Sequence, residues 1–188
     1  MATEQIPGGW GNWIFVINDS SVITNGQIVF NETLGKLIGV KYELIAYRMQ
    51  VVNGINYEFI ATAKPATIAP ERVDLVEARV HVTSQGQHVI ERISPLGPEP
   101  NGQPGGWHNW QVPPSADALK AFAKMPMLTG VKYEPYASTQ QLVNGTNFCI
   151  LCSQTYVVLP PLRVNAVLIY LHQDLKGNVT ITRIEPIN

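Results

Sequence analysis

The chain has 188 residues, 45% of them hydrophobic, with 13 Lys and Arg against 14 Asp and Glu and a net charge of −1. That content supports one large domain or two small ones with a packed core, and it argues against disorder. The balanced charge leaves no footprint for nucleic acid and no basic patch for a membrane surface, and no apolar run approaches the roughly 18 residues of a membrane span.

Met1 to Pro7 has neither a basic n-region nor an apolar h-region, so it does not read as a signal peptide. The expected compartment is the cytoplasm if Met1 is native, and the exterior if a leader was removed. The two cysteines, Cys149 and Cys152, lie in an apolar strand-like run. Two ligands are too few for structural zinc. On a strand, residues three apart face opposite ways, so a disulfide between them is not expected. Both read as structural thiols.

The sequence is an internal duplication. Pro7-Gly8-Gly9-Trp10-Gly11-Asn12-Trp13 returns as Pro104-Gly105-Gly106-Trp107-His108-Asn109-Trp110. Gly39-Val40-Lys41-Tyr42-Glu43 returns as Gly130-Val131-Lys132-Tyr133-Glu134, and the same spacing carries Asn53-Gly54 onto Asn144-Gly145 and Arg92-Ile93 onto Arg183-Ile184. A period this long is a whole small domain. The expected division is a first domain over 1–96, a Pro/Gly-rich linker over 97–104, and a second domain over 105–188.

In chain order, Trp13 to Asn18 predicts a short strand. Ser20 to Gly39 follows helical spacing in part, through Ile28, Val29, Phe30, Leu34, Leu37 and Ile38. Val40 to Val52 and Ile55 to Ala63 predict a hairpin joined at Asn53-Gly54, a type I′ signal that needs positive φ at both central residues. Val73 to Val82 alternates as a strand, and Gln85-Gly86-Gln87 turns into a further strand over His88 to Ile93. In the second copy Ser115 is placed to cap a helix with Leu119, Phe122 and Ala123 on one face, stopped by Pro126. The Asn144-Gly145 hairpin follows, then strands over Arg163 to Leu171 and Val179 to Ile184 around Lys176-Gly177-Asn178. The expected class is α+β, each copy a helix packed on a curved four- to five-stranded antiparallel sheet.

Catalytic signatures are missing. There is no G-x-S-x-G elbow, H-E-x-x-H pair or phosphate-cradling loop. His81, His88, His108 and His172 are scattered and read as structural, and paired carboxylates are lacking. The chain therefore reads as a non-enzyme with no metal or other cofactor. Asn18, Asn31, Asn144 and Asn178 match the glycosylation sequon, which matters only in a secretory pathway.

Each copy carries a Gly-Gly, a helix-bearing middle, and a Gln-x-Val-x-Gly tip followed by a second hairpin. Gln50-Val51-Val52-Asn53-Gly54 and Gln141-Leu142-Val143-Asn144-Gly145 both fit that pattern. This resembles the cystatin family, inhibitors of papain-like cysteine proteases, and Gly-Gly-Trp before the helix is similar to its plant-type and multi-domain members. The resemblance implies two cystatin-like domains, one or two papain-like proteases bound per chain, and a wedge that covers the catalytic cleft without chemistry. Carried onto this sequence, the wedge of the first copy is Gly8, Gly9, Gln50, Val51, Val52, Asn53, Gly54, Gln85, Gly86 and Gln87. That of the second is Gly105, Gly106, Gln141, Leu142, Val143, Asn144, Gly145, Lys176, Gly177 and Asn178. Both second tips are polar, where the family often has an apolar residue. The alternative expectation is a non-inhibitory structural or interaction protein, with self-association through its edge strands.

Overall fold

Strand-forming sequence dominates the molecule, and the computed structural model describes residues 8–16, 23–66, 71–126, 128–157 and 162–188. The chain divides into two compact units, Met1–Leu96 and Gly97–Asn188. In the first, β1 (Ile14–Phe15), β2 (Val40–Val52), β3 (Gly54–Pro65), β4 (Asp74–Val82) and β5 (His88–Pro95) form one antiparallel sheet in the order β1-β2-β3-β4-β5. In the second, β6 (Val131–Val143), β7 (Gly145–Tyr156), β8 (Arg163–Gln173) and β9 (Val179–Pro186) form a sheet in the order β6-β7-β8-β9. Each neighbour in sequence is a neighbour in space, so both sheets are meanders. Ile45 and Tyr136 fall at register shifts in equivalent places, and a second shift recurs at Arg79/Val80 and Tyr170/Leu171. Such bulges add twist and bend a sheet.

The expected α+β class, with each domain a helix layered on a sheet, is corrected. Strand makes up 52% of the structure, and the described residues hold two short α-helices. These are α1 (Asn25–Glu32) and α2 (Ala116–Ala123), eight residues each. Two turns supply a pair of side chains to a core but no layer of their own. A capping box starts α1: Thr24 N donates to Gln27 Oε1 at 2.7 Å, and Gln27 N donates to Thr24 Oγ1 at 3.4 Å. The helix then stops at Thr33, whose hydroxyl donates to Val29 O at 2.6 Å. Gly35 and the residues around it form only a short 3-10 turn, Leu34–Lys36. Ser115 caps α2 as the sequence predicts, accepting from Ala118 N at 3.1 Å. Of the predicted face Phe122 packs against the core, beside the buried Ala118 and Ala121, whereas Leu119 and Ala123 are exposed.

The first core gathers Val29 and Phe30 of α1 with Leu34, Tyr47, Tyr57, Phe59, Ala61, Ala78 and Val80. Phe30 meets Phe59 edge-on at 5.4 Å. The second gathers Ala118 and Ala121 with Phe148, Ile150, Cys152, Val167, Ile169 and Leu171. Trp13 and Trp110, both buried, serve the opposite sheet faces. Trp110 lies there against Gly97 and donates from Nε1 to Pro98 O at 3.0 Å. The residues read as a linker are thus packed on the second unit. Cys149 and Cys152 are buried free thiols, Cys152 in the core and Cys149 on the other face. Burial pushes both thiols well above their ordinary range.

Candidate functional site: a three-segment edge in each unit

The β2–β3 hairpin ends with Val52 paired to Gly54, leaving Asn53 at the apex. Gly54 has φ +103° and Gly145 φ +104°, and no other residue type takes positive φ among the described residues. Asn53 and Asn144 therefore do not, and the type I′ expectation is corrected. The reason is a close approach. A Cβ on Gly54 would collide with the Val82 carbonyl, and one on Gly145 with the Gln173 carbonyl. Gly lets the first tip press against the end of the next strand. The turn after that strand is therefore its neighbour: Thr83 N donates to Gln87 O and Gly86 N to Thr83 O, each at 2.9 Å. In the second unit Asp174 fixes the same turn, accepting from Lys176 N and Asn178 N at 2.9 Å and from Asn178 Nδ2 at 2.7 Å. Those bonds from Asn178 and the backbone hold the Asp174 carboxyl below its ordinary range.

The Gly segment is tied to the same end. Gln50 Nε2 donates to Gly8 O at 2.8 Å, Asn56 Nδ2 donates to Gln50 Oε1 at 3.0 Å, and His81 Nδ1 lies 2.7 Å from Asn56 Oδ1. The second unit repeats the chain: Gln141 Nε2 to Gly105 O at 2.9 Å, Asn147 Nδ2 to Gln141 Oε1 at 2.9 Å, and His172 Nδ1 to Asn147 Oδ1 at 2.8 Å. Because the Asn amide donates to Gln, its oxygen must accept, which makes each His Nδ1 the donor. The backbone adds Gly11 N to Met49 O and His108 N to Gln140 O, both 2.9 Å, and bridges Trp10 to Gln50 and Trp107 to Gln141.

All three sequence-predicted segments thus meet at one end of each unit. Val51, Val52, Leu142 and Val143 are 41 to 53% exposed there. Gly8, Gly105, Asn53, Asn144, Gln85, Gly86, Gln87, Lys176 and Asn178 are exposed, and Gly9, Gln50, Gly54, Gln141, Gly145 and Gly177 half-buried. Gly106 differs: it is buried against the Asn101 side chain. Asn56, His81, Asn147 and His172 were not legible as part of this edge, although the 91-residue spacing that repeats Asn53-Gly54 also repeats them. Among the described residues no group of three or more His, Cys, Asp or Glu side chains could hold a metal.

Beneath the first Gly segment runs a row of charge. Register sets Arg48 beside Glu58, Glu58 beside Arg79, and Arg79 beside Arg92. The fully buried Glu58 carboxylate accepts from Arg48 Nε at 2.8 Å and also from its Nη2, from Arg79 Nη2 at 2.9 Å and from Arg92 Nη2 at 2.8 Å. Burial alone would raise its pKa, but the hydrogen bonds from Arg48, Glu77 and Arg79 and the Arg48 charge outweigh it and the net direction is down. Neighbouring Glu77 is pushed up to about 7, first by burial and then by Glu58. Trp10 stacks on this row, 4.6 Å from the Arg48 guanidinium carbon and 5.1 Å from that of Arg79. In the second unit the equivalent positions are Thr139, Cys149, Tyr170 and Arg183, with Trp107 edge-on to Tyr170 at 6.5 Å.

Comparison with known proteins overturns the cystatin resemblance. No protein-family model matches the chain, and no curated protein matches it. Among solved structures, one similar chain is an NTF2-like protein involved in plasmid conjugation, 8% identical over 79% of each chain, with a TM-score of 0.28. A likeness that slight carries no argument. The short motifs that suggested cystatin membership are local hairpin and Gly-segment patterns, and they do not bring a family with them.

Proposed function

We propose that the chain is a two-headed, non-enzymatic inhibitor that occludes the active-site cleft of a papain-like cysteine protease with each of its three-segment edges. The observation that supports this reading is the His-Asn-Gln relay to the Gly segment, present in both units with the same partners. A relay of this kind holds an exposed backbone strand beside an apolar tip before any partner arrives. Preorganisation lowers the entropy lost on docking. Val51 and Val52, or Leu142 and Val143, then supply apolar contact, and the surrounding backbone groups supply hydrogen bonds. A tight turn offers a protease no extended bond to cleave.

The test is titration of papain activity with the purified chain and with Val52→Asp, Val143→Asp and the double variant. The expected result is loss of one inhibitory equivalent per single variant and of both in the double. No inhibition by a folded chain at micromolar concentration would refute the reading. A second reading, a self-assembling structural protein, is favoured by β5 and β9, outer strands whose side chains are mostly exposed. Light scattering that rises with concentration, without papain inhibition, would select it.

A further inference from the structure

We propose that the two heads respond differently to pH: the Gly8–Trp10 segment is held by a charge row centred on the buried Glu58 that loosens as the solution becomes more alkaline, whereas the Gly105–Trp107 segment is held without one. The consequence for binding rests on the docking-edge reading, but the device itself belongs to the chain alone.

The argument is geometric. Trp10 lies over Arg48 and Arg79, and both guanidiniums are aimed by hydrogen bonds to the one carboxylate of Glu58. Whatever displaces that carboxylate moves the platform under Trp10. Glu77 is placed to do so. It is two residues from Arg79 on the same face of β4, and its side chain is only 13% exposed. The charged groups around it are Glu58 on β3, Arg92 on β5, Arg79 on its own strand, and Arg48 on β2. The described N-terminal residues 8–16 contribute Trp10 and Trp13 but no charge. Glu77 Oε1 lies 3.2 Å from Arg92 Nη2 but receives no hydrogen bond, so it is charge alone, from Arg92 and then Arg48, that offsets its burial and the nearby Glu58 carboxylate. Arg92 Nη2 lies 2.8 Å from Glu58 Oε1 and 3.2 Å from Glu77 Oε1, so the two carboxyls share one guanidinium; with Glu77 protonated the row carries one carboxylate for three guanidiniums. When ionised, two carboxylates face each other in a buried site, and their repulsion acts on the group that aims Arg48 and Arg79.

The second unit has no such pair. Cys149 and Tyr170 occupy the Glu58 and Arg79 positions, and burial raises the pKa of both. Neither ionises near neutrality. Leu168 stands where Glu77 would be.

The amides of Gly11 and His108 are equivalent reporters, since each bonds the strand beside its Gly segment. Their hydrogen exchange, read by NMR on the full chain and corrected for the intrinsic rate, is compared at pH 6 and pH 8. The expected result is that Gly11 protection falls about tenfold while His108 protection holds, and that Glu77→Gln abolishes the fall. Equal behaviour of the two amides, or a fall that persists in a folded Glu77→Gln, would overturn the proposal. Should that variant not fold, the contrast between Gly11 and His108 in the native chain still decides. Because no partner is present, failure here is distinct from failure to inhibit a protease.

Discussion

Gly54 offers the sharpest test of how the edge is built. Its φ of +103° penalises any L side chain, and a Cβ there would strike the Val82 carbonyl. Backbone strain of this sort costs about 1–3 kcal/mol, and forcing β3 and β4 apart at the tip adds about another 1 kcal/mol. Gly54→Ala is therefore expected to destabilise the first unit by about 2–4 kcal/mol. Gly86 provides the control, because its φ is +81° but nothing lies within 4 Å of a built Cβ. Gly86→Ala should cost only the conformational part, about 1–2 kcal/mol. Urea unfolding followed by pulsed hydrogen exchange and mass spectrometry assigns each transition to its unit. The reasoning is refuted if the two variants cost the same, or if Gly54→Ala leaves the first unit's midpoint unchanged.

Other consequences can be checked alongside it. Gln50→Ala removes the bonds to Gly8 O and from Asn56, so exchange of the amides in 8–12 should rise about tenfold, with global stability down by about 1 kcal/mol or less. Phe30→Ala empties the centre of the first core against Phe59 and should cost about 3–5 kcal/mol in denaturant melts. The first unit should also lose stability between pH 6 and pH 8. Glu77 is raised from 4.5 to about 7, so its contribution is complete below 4.5 and lost as pH rises through about 7. The loss is at most about 3 kcal/mol over the whole range from 4.5 to 7, of which about 1 kcal/mol falls between pH 6 and pH 8. Glu58, shifted the other way, contributes above its unfolded pKa, and that contribution is lost only on acidification through its lowered value. A flat profile in Glu77→Gln would confirm the assignment, whereas an unaltered one would refute it.

The strands, the Asn-Gly tips and the duplication were legible because period-two patterning and repeated motifs are local. The helices were less so. Gly26 and Gly35 interrupt the apolar spacing, and only the Thr24–Gln27 box marks where α1 begins. In α2 the alanines carry the buried face, and alanines add little to an apolar pattern, which is why Leu119 misled. The relay is not legible in the sequence because Gly8 and His81 lie far from Gln50 and Asn56 along the chain and meet them only when register is fixed. The Glu58 row is likewise invisible until four strands are aligned. Family membership is not legible in the tips for a related reason: five-residue patterns describe a hairpin's needs, which unrelated chains share. Residues 17–22, which hold the end of the first predicted strand and the Asn18 sequon, lie outside the described residues.

The central claim is that one edge per unit meets the partner. Amide shifts of the full chain on adding papain alkylated at its active site test it most directly. The account predicts changes confined to Gly8–Trp10, Val51–Gly54 and Gln85–Gln87, and to Gly105–Trp107, Leu142–Gly145 and Lys176–Asn178. Shifts centred on the outer strands β5 and β9, or none at saturating papain, would contradict it.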